Sequence, residues 1–252
     1  MPFAQRTKHP HMDTMTAQDF RAFEAAPPHE RYQYKPFTGS SHSWALGECA
    51  KLPPTTRVLD IGCGSGAIGR ELKAKGWQSL KAVEIDAAAR DNARGIYSQI
   101  ESSIEPFRGQ KFDLILLLDV IEHMTEPEKF LHEASSLLTP GGIILVSVPN
   151  VAHWSVRLPL LFGWFHYTER GLLDRTHLQL FTRARVNRFT QSIPSLRIVS
   201  QSGSIEPAEF VLPEAIHSTR WFEGLRHFRL ALARMLPGFF AFQHLVVLKK
   251  SA

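Results

Sequence analysis

The stretch Arg57-Val58-Leu59-Asp60-Ile61-Gly62-Cys63-Gly64-Ser65-Gly66-Ala67-Ile68-Gly69 constrains the fold more than any other part of the chain. An apolar run broken by a single acid leads into three alternating glycines and then into a helical pattern. Strand, tight turn and helix in that order bring the backbone close to a ligand at the strand's C-terminal end, where open α/β sheets bind. Gly62, Gly64 and Gly66 remove the Cβ atoms that would block the approach. The alternation then repeats. Apolar runs at 80–85, 112–118 and 143–148, with a weaker one at 96–100, read with 58–61 as strands buried on both faces. Helices are expected over 67–75, 87–94 and 126–138, closed by Gly76, Gly95 and Pro140-Gly141-Gly142. Thr125-Glu126-Pro127-Glu128 fits a capping box with proline in the first turn. Repeated β-α units predict right-handed crossovers and a doubly wound sheet. A further helix over 182–192 and strands at 196–202 and 243–248 complete the pattern.

Composition narrows the class. The 252 residues, 44% hydrophobic and 21% charged, are enough for one large folded domain and speak against overall disorder. Residues 1–30 are polar, carry four prolines and read as a loosely held arm. Residues 31–252 read as the domain, with two additions at about 151–181 and 205–237. The net charge of +5 tolerates an anionic ligand but is far from a polybasic tail, so no specific nucleic-acid partner is expected. Two cysteines, Cys49 and Cys63, cannot build a disulfide framework; with no secretory h-region in the sequence, a reducing, cytoplasmic setting is expected. The best apolar run, 158–165, is interrupted by Pro159 and Gly163 and too short to span a bilayer.

Two readings of the glycine loop compete. Gly64-Ser65-Gly66-Ala67-Ile68-Gly69 satisfies the dinucleotide fingerprint G-x-G-x-x-G, with Glu84 where a ribose-binding acid would stand, which suits a nucleotide-dependent oxidoreductase. The full run from Val58 to Gly66 instead resembles the first motif of class I S-adenosylmethionine-dependent methyltransferases. In that family an acid two residues before the first glycine helps hold the ammonium of the methionine moiety, and Asp60 occupies that place. Charge favours the second reading. A carboxylate at the loop entrance repels a pyrophosphate but attracts a donor carrying an ammonium and a sulfonium.

The resemblance extends over roughly residues 55–150. It implies a seven-stranded, mostly parallel Rossmann-like sheet with an N-terminal cap, S-adenosylmethionine as cofactor and S-adenosylhomocysteine as product. Lys81-Ala82-Val83-Glu84-Ile85-Asp86 is similar to the family's second strand, which implies Glu84 for the ribose hydroxyls, Ile85 for the adenine face and Asp86 as a helix N-cap. Gln99 aligns with the family's adenine-binding Asp. Phe112 to His123 resembles the fourth strand and its loop, which puts Asp119 beside the cofactor. Gly62, Cys63, Gly64 and Gly66 complete the expected cofactor site. Thr139-Pro140-Gly141-Gly142 and the run after it resemble the fifth strand.

For the chemistry, His123 closely follows the fourth strand and an imidazole can take up a proton, so it is the candidate base. Asp119, Glu122 and His123 form a D-x-x-E-H cluster resembling metal-using small-RNA 2′-O-methyltransferases and ubiquinone-pathway O-methyltransferases, which carry E-x-x-E-H; with no further ligand evident, no metal is expected. The strip from Asn150 to Thr182, with Asp174-Arg175-Thr176-His177-Leu178 in it, resembles a lid segment of uncharacterised bacterial methyltransferases encoded with cell-surface glycan genes. In it His153, Tyr167 and His177 either contact the acceptor or fix the lid's own turns. Tyr32, Tyr34, Ser40, Ser41, His42 and Trp44 resemble a segment folded over the cofactor. Residues 220–236 place aromatics and leucines at helical spacing among arginines, which reads first as a core-packed helix with a solvated basic face and otherwise as a peripheral membrane contact. The reading is O-methylation of a small-molecule or glycan-type acceptor, set against an oxidoreductase or a catalytically silent cofactor-binding partner. Oligomeric state is not fixed by the sequence.

Overall fold

The computed structural model describes Lys35, residues 37–208 and residues 212–251. The N-terminal arm, and Tyr32 and Tyr34 within the proposed cap, lie outside the described residues. Seven strands form one sheet: β1 (Val58–Ile61), β2 (Leu80–Val83), β3 (Gln99–Glu101), β4 (Phe112–Leu118), β5 (Leu138–Pro149), β6 (Leu196–Gly203) and β7 (Gln243–Lys250). Their spatial order is β3-β2-β1-β4-β5-β7-β6. The pairs among β1 to β5 are parallel, whereas β7 runs antiparallel to both β5 and β6. This is the mostly parallel doubly wound architecture expected from the repeated β-α units.

Apolar side chains line both faces of the central strands. Leu59, Ile61, Ile115, Leu117, Ile144 and Val146 belong to one core, and Val58, Leu80, Ala82, Leu114, Leu116 and Leu145 to the other. Successive residues of a strand point to opposite faces, so a strand covered on both sides must be apolar throughout, as 114–117 is. Helices α1 (Ser41–Cys49) and α2 (Ala67–Ala74) cover the second face through Ala45, Leu46, Cys49, Ile68 and Leu72. Asp60 has the parity of Val58 and therefore lies on this face, at the strand end bordering the glycine loop.

Two local expectations are corrected. The helix expected over 126–138 is α4 (Pro127–Ser136), after α3 (Ala87–Asn92); its N-cap is Glu126, with no side-chain cap bond, so the capping box at Thr125 does not form. Pro140-Gly141-Gly142 does not close that helix but lies inside β5, which begins at Leu138 and shifts register against β4 between Phe112 and Leu114. A Cβ at Gly142 would come within 3.0 Å of the Thr139 carbonyl oxygen and 3.2 Å of that of Asp113, so glycine is demanded there by strand approach rather than by a helix end.

The 151–181 addition carries α5 (Trp154–Leu161) and ends close to where it began: Val151 N–H donates to the Phe181 carbonyl at 2.9 Å. Helix α6 (Arg183–Gln191) follows, capped by Thr182. In the second addition α7 (Glu214–His217) precedes α8 (Arg220–Met235) and α9 (Pro237–Phe240). Of α8 only Phe222 and Ala233 are buried, so the expectation of a core-packed helix holds for a narrow stripe alone.

Candidate active site

The C-terminal ends of β1, β2 and β4 lie side by side, since Ile61 pairs with Val83 on one edge and Leu117 on the other. From Ile61 the chain turns through Gly62, Gly64 and Gly66, with φ of 72°, 54° and 79°. At Gly62 the space is closed as well, since a Cβ would sit 2.5 Å from Val120. At Gly64 a Cβ would meet nothing within 4 Å, so that backbone faces open space. The loop leaves an open cradle on its outer side.

Three expected residues border this cradle. Asp60 is 5% exposed, and the Tyr97 hydroxyl donates to its Oδ2 at 2.6 Å. Burial raises its carboxyl to about 6, against the Tyr97 bond that lowers it and with the nearby Glu84 raising it further. No cation offsets this buried acid among the described residues, a deficit that a ligand's ammonium would meet. Glu84, also buried, accepts from Gly64 N–H at 2.8 Å and Asp86 N–H at 2.9 Å, one bond to each carboxylate oxygen. Each oxygen keeps a lone pair, so the glycine loop orients the acid without exhausting it. Ile85 is 85% exposed beside it, an apolar face turned to solvent at the cradle's edge. Asp86 caps α3 by accepting from Ala89 N–H at 2.7 Å. Cys63 is half-buried, and burial, with Asp60 and Glu84 nearby, pushes its thiol well up, so it stays a neutral wall of the loop.

Gln99 is not brought here. It pairs with Lys81, three residues short of Glu84 and so about 10 Å down the strand. Its amide is engaged by Lys81 Nζ at 3.1 Å and by the Glu101 carboxylate at 3.0 Å. The weak 96–100 run put the strand three residues too early; β3 starts at Gln99, so Ser102 and Ser103 follow its end.

Asp119 follows β4 in a left-handed conformation, φ 56°, the only non-glycine with positive φ among the described residues. Its N–H donates to the Ser147 carbonyl and hydroxyl, and its Oδ1 accepts from Ser147 Oγ and Gln243 Nε2, each at 2.6 Å. Burial would raise this acid, but the Lys35 ammonium 3.7 Å away and these donors hold it below the usual carboxylate range. Lys35 N–H donates to His42 Nδ1 at 3.1 Å, so the segment before α1 reaches the site through these two residues. Burial and the Lys35 charge lower His42 to about 4, leaving it neutral near pH 7.

The D-x-x-E-H grouping is rearranged. Asp119 is turned toward Ser147 and Gln243, and His177 takes its place: Glu122, His123 and His177 each offer a ligand atom, all within 4.8 Å of one another. After β4 the chain forms a short 3-10 turn (Ile121–His123), which buries Glu122 and leaves His123 partly exposed. Glu122 is 1% exposed, and neither carboxylate oxygen has a hydrogen-bond partner. Burial, with Asp119 nearby, raises its carboxyl well above normal. His123 Nδ1 lies 3.1 Å from the Thr176 carbonyl and His177 Nδ1 3.4 Å from that of Leu172. A carbonyl only accepts, so both Nδ1 atoms carry the proton and both Nε2 atoms present lone pairs. The Asp174 of the D-R-T-H stretch builds the turn behind them, accepting from the Thr176 N–H at 2.8 Å and hydroxyl at 2.7 Å. This trio can take up a proton or, as one carboxylate and two imidazoles with their second nitrogens fixed, hold a divalent cation.

His153 and Tyr167 stay apart. His153 is fully buried, caps α5 and points Nε2 at Glu206 Oε1, 3.1 Å away; Tyr167 is exposed with its ring against Phe165. Sequence reasoning missed Tyr97, Ser147 and Gln243; Ser147 lies within the run that resembles the fifth strand but was given no role there, and Tyr97 and Gln243 lie in no recognisable motif.

Comparison with known proteins gives the family and the fold. A family described as "Methyltransferase domain" matches residues 40–192. A ubiquinone biosynthesis O-methyltransferase of Parvibaculum lavamentivorans is 33% identical over 104 residues, 37% of this chain and 40% of that one, so the match spans less than half of that relative. Among solved structures, a SAM dependent methyltransferase from Archaeoglobus fulgidus aligns with TM-score 0.54 at 17% identity, covering 83% of this chain and 94% of the other. Magnesium protoporphyrin IX methyltransferase from Synechocystis PCC 6803, crystallised with bound SAH, aligns at TM-score 0.53 and 15% identity, over 83% and 80% of the two chains. The chain belongs to the methyltransferase domain family and has the fold of the class I S-adenosylmethionine-dependent methyltransferases.

Proposed function

We propose that this protein transfers a methyl group from S-adenosylmethionine to a hydroxyl oxygen of a small-molecule acceptor. The observation that carries the oxygen acceptor is the trio of Glu122, His123 and His177, each offering one ligand atom within 4.8 Å of the others, with both Glu122 oxygens lacking a hydrogen-bond partner. A hydroxyl must shed a proton as it attacks, whereas a neutral amine has less need of a base. The name of the ubiquinone-pathway relative supports the same reaction class.

The donor supplies a methyl group on a cationic sulfur, displaced in line by the acceptor oxygen. Asp60 would receive the donor's ammonium and Glu84 its ribose hydroxyls. Ile85 would lie on the adenine, and the backbone of Gly62, Cys63 and Gly64 would line the pocket. Asp119, fixed by Ser147 and Gln243, stands between this site and the histidines. His123 accepts the hydroxyl proton at Nε2 while the Thr176 carbonyl holds its ring. Holding donor and acceptor in line lowers the barrier by about 7–11 kcal/mol on its own. Residues 31–252 would act as one methyltransferase domain, and the 151–181 addition would supply the acceptor side through His177.

Transfer of labelled methyl to a panel of phenols, catechols and sugar alcohols tests the reading, with a base-stable ether as the expected product. His123→Ala should lower turnover about 100-fold or more while leaving the thermal shift caused by S-adenosylhomocysteine unchanged. Label appearing only on amine acceptors overturns the oxygen assignment. A second reading, in which the trio holds a divalent cation that polarises the acceptor oxygen, is favoured by the unpartnered Glu122 carboxylate. Loss of turnover in chelator, restored by magnesium, manganese or zinc, selects it; indifference to chelator leaves His123 as the base.

A further inference from the structure

Ten consecutive residues, 160–169, are exposed, and most of them are large and apolar. Leu161, Phe162 and Trp164 are 77%, 74% and 65% exposed, and Leu160 and Tyr167 more than half. Leu158 and Phe165 extend the strip. Aromatic side chains carry about 150–250 Å² each, so the uncovered apolar area is on the order of 600 Å², the upper end of what a soluble monomer leaves in one patch. Helix α5 delivers this strip to the surface. Its Pro159 and the positive φ of Gly163, 77°, end the helix in a turn whose tip is Leu161 to Phe165.

The strip adjoins a second apolar edge. Arg157 donates to the Gly238 carbonyl at 3.3 Å and its guanidinium lies 5.6 Å from the Phe239 ring, which ties α5 to α9. Just before α9, Met235 and Leu236 are 75% and 57% exposed. Charge is one-sided across both segments. The strip's one acid, Glu169, is paired with Arg175; residues 154–168 carry Arg157 and His166 without an acid, and residues 225–242 carry Arg226, His227, Arg229 and Arg234 without an acid. Arg229 is ion-paired to Glu206 at 2.8 Å.

We infer that this face docks on an anionic lipid bilayer, with Leu161, Phe162 and Trp164 inserting between headgroups and the arginines meeting lipid phosphates. A small-molecule acceptor covers two or three side chains, not seven, so closure over acceptor leaves most of the strip bare. A second copy of the chain would bring the same net basic edges together. An anionic bilayer satisfies both the apolar area and the sign of charge. Long arginine stems lie along apolar surface while their heads stay at the phosphates. The strip belongs to the addition that also carries His177, so docking would hold the acceptor side of the site near the bilayer. The inference does not depend on the methyl-transfer reading.

Flotation of the full chain with vesicles of phosphatidylcholine alone, and with added phosphatidylglycerol, is the test. Binding is expected to the phosphatidylglycerol vesicles, weakening as salt is raised, with a blue shift in tryptophan emission. Leu161→Ser/Phe162→Ser/Trp164→Ser should lower partitioning at least tenfold without changing the melting temperature, since the three side chains touch the core little. Arg157→Gln/Arg234→Gln should lower binding to the anionic vesicles and reduce its salt dependence. No binding to either vesicle overturns the inference, as does a triple variant that binds like wild type. Concentration-dependent dimerisation abolished by the triple variant assigns the face to a second copy instead. Vesicle binding gained only when residues 1–34 are removed would show those residues to be its occupant.

Discussion

Asp60 and Tyr97 show how a strand can carry a buried charge toward a ligand without collapsing around it. The Tyr97 hydroxyl satisfies one carboxylate oxygen, and its ring fills the space over Gly66 and Gly69, where a Cβ at Gly69 would collide with it. The fourth glycine of the loop is therefore spent on this tyrosine. Hydrogen bonds to a charged group contribute about 1.5–3 kcal/mol. Tyr97→Phe should therefore weaken S-adenosylhomocysteine binding about tenfold or more near pH 7, read by calorimetry, with turnover at saturating donor little changed. An unaltered dissociation constant would remove Tyr97 from the site. Asp60→Asn should weaken binding more and remove its dependence on pH. The acid and glycines were legible from their spacing; Tyr97 was not, because a tyrosine 37 residues away in sequence carries no sign of the face it will occupy.

At the level of elements, one carboxylate anchors the first addition to the second. Glu206 accepts from Trp154 Nε1 at 3.0 Å and from Arg229 Nε and guanidinium nitrogen at 3.1 and 2.8 Å, and stands 3.1 Å from His153 Nε2. Burial alone would raise this acid, but the His153 and Arg229 bonds bring it down to about 2. Its folded value lies below the unfolded one, so its contribution is complete above about pH 4.5 and fades as pH falls toward 2. Glu206→Ala leaves Arg229 and the buried His153 without their partner and should cost about 2–4 kcal/mol in urea unfolding at pH 7. Glu206→Gln should cost less, since an amide still accepts from Trp154 and Arg229. If Glu206→Ala unfolds like wild type, the anchor is not a structural one. The strands were readable because both-sided burial writes itself as apolar runs. The edges of elements were not: β5 pairing overrides the local stop pattern of Pro140-Gly141-Gly142, and α4 is capped at Glu126 rather than through the box at Thr125. His177 reaching Glu122, and Gln243 reaching Asp119, come from the return of distant segments to the same strand ends, which no periodicity records.

Across the whole molecule, the sheet order places β1 and β4 at the centre, where the chain reverses direction and opens a crevice at the strands' C-terminal ends. On the proposed site a ligand held there would touch residues from β1, β2 and the β4 loop together, so its binding free energy would add to the stability of the entire domain. At 100 times the dissociation constant that is about 2.7 kcal/mol, a rise in melting temperature of roughly 5–10 °C for a domain of this size. The size of the rise should itself depend on pH. In the free protein Asp60 titrates near 6, raised by burial, lowered by Tyr97 and raised by Glu84, with the neutral thiols of Cys49 and Cys63 the remaining titratable neighbours. Because its free folded value exceeds the unfolded one, the unliganded protein gains stability from Asp60 as pH falls through 6 toward 4. The bound state needs the ionised acid opposite the ammonium and gains nothing over that range from protonation. The ligand-induced shift should therefore be full at pH 7.5 and shrink by about 1.4 kcal/mol of binding per pH unit below 6. Scanning calorimetry with and without S-adenosylhomocysteine at pH 7.5, 6.0 and 5.0 measures it directly. In Asp60→Asn the residual shift should be the same at all three. A wild-type shift independent of pH would mean that the ammonium is met elsewhere than at Asp60.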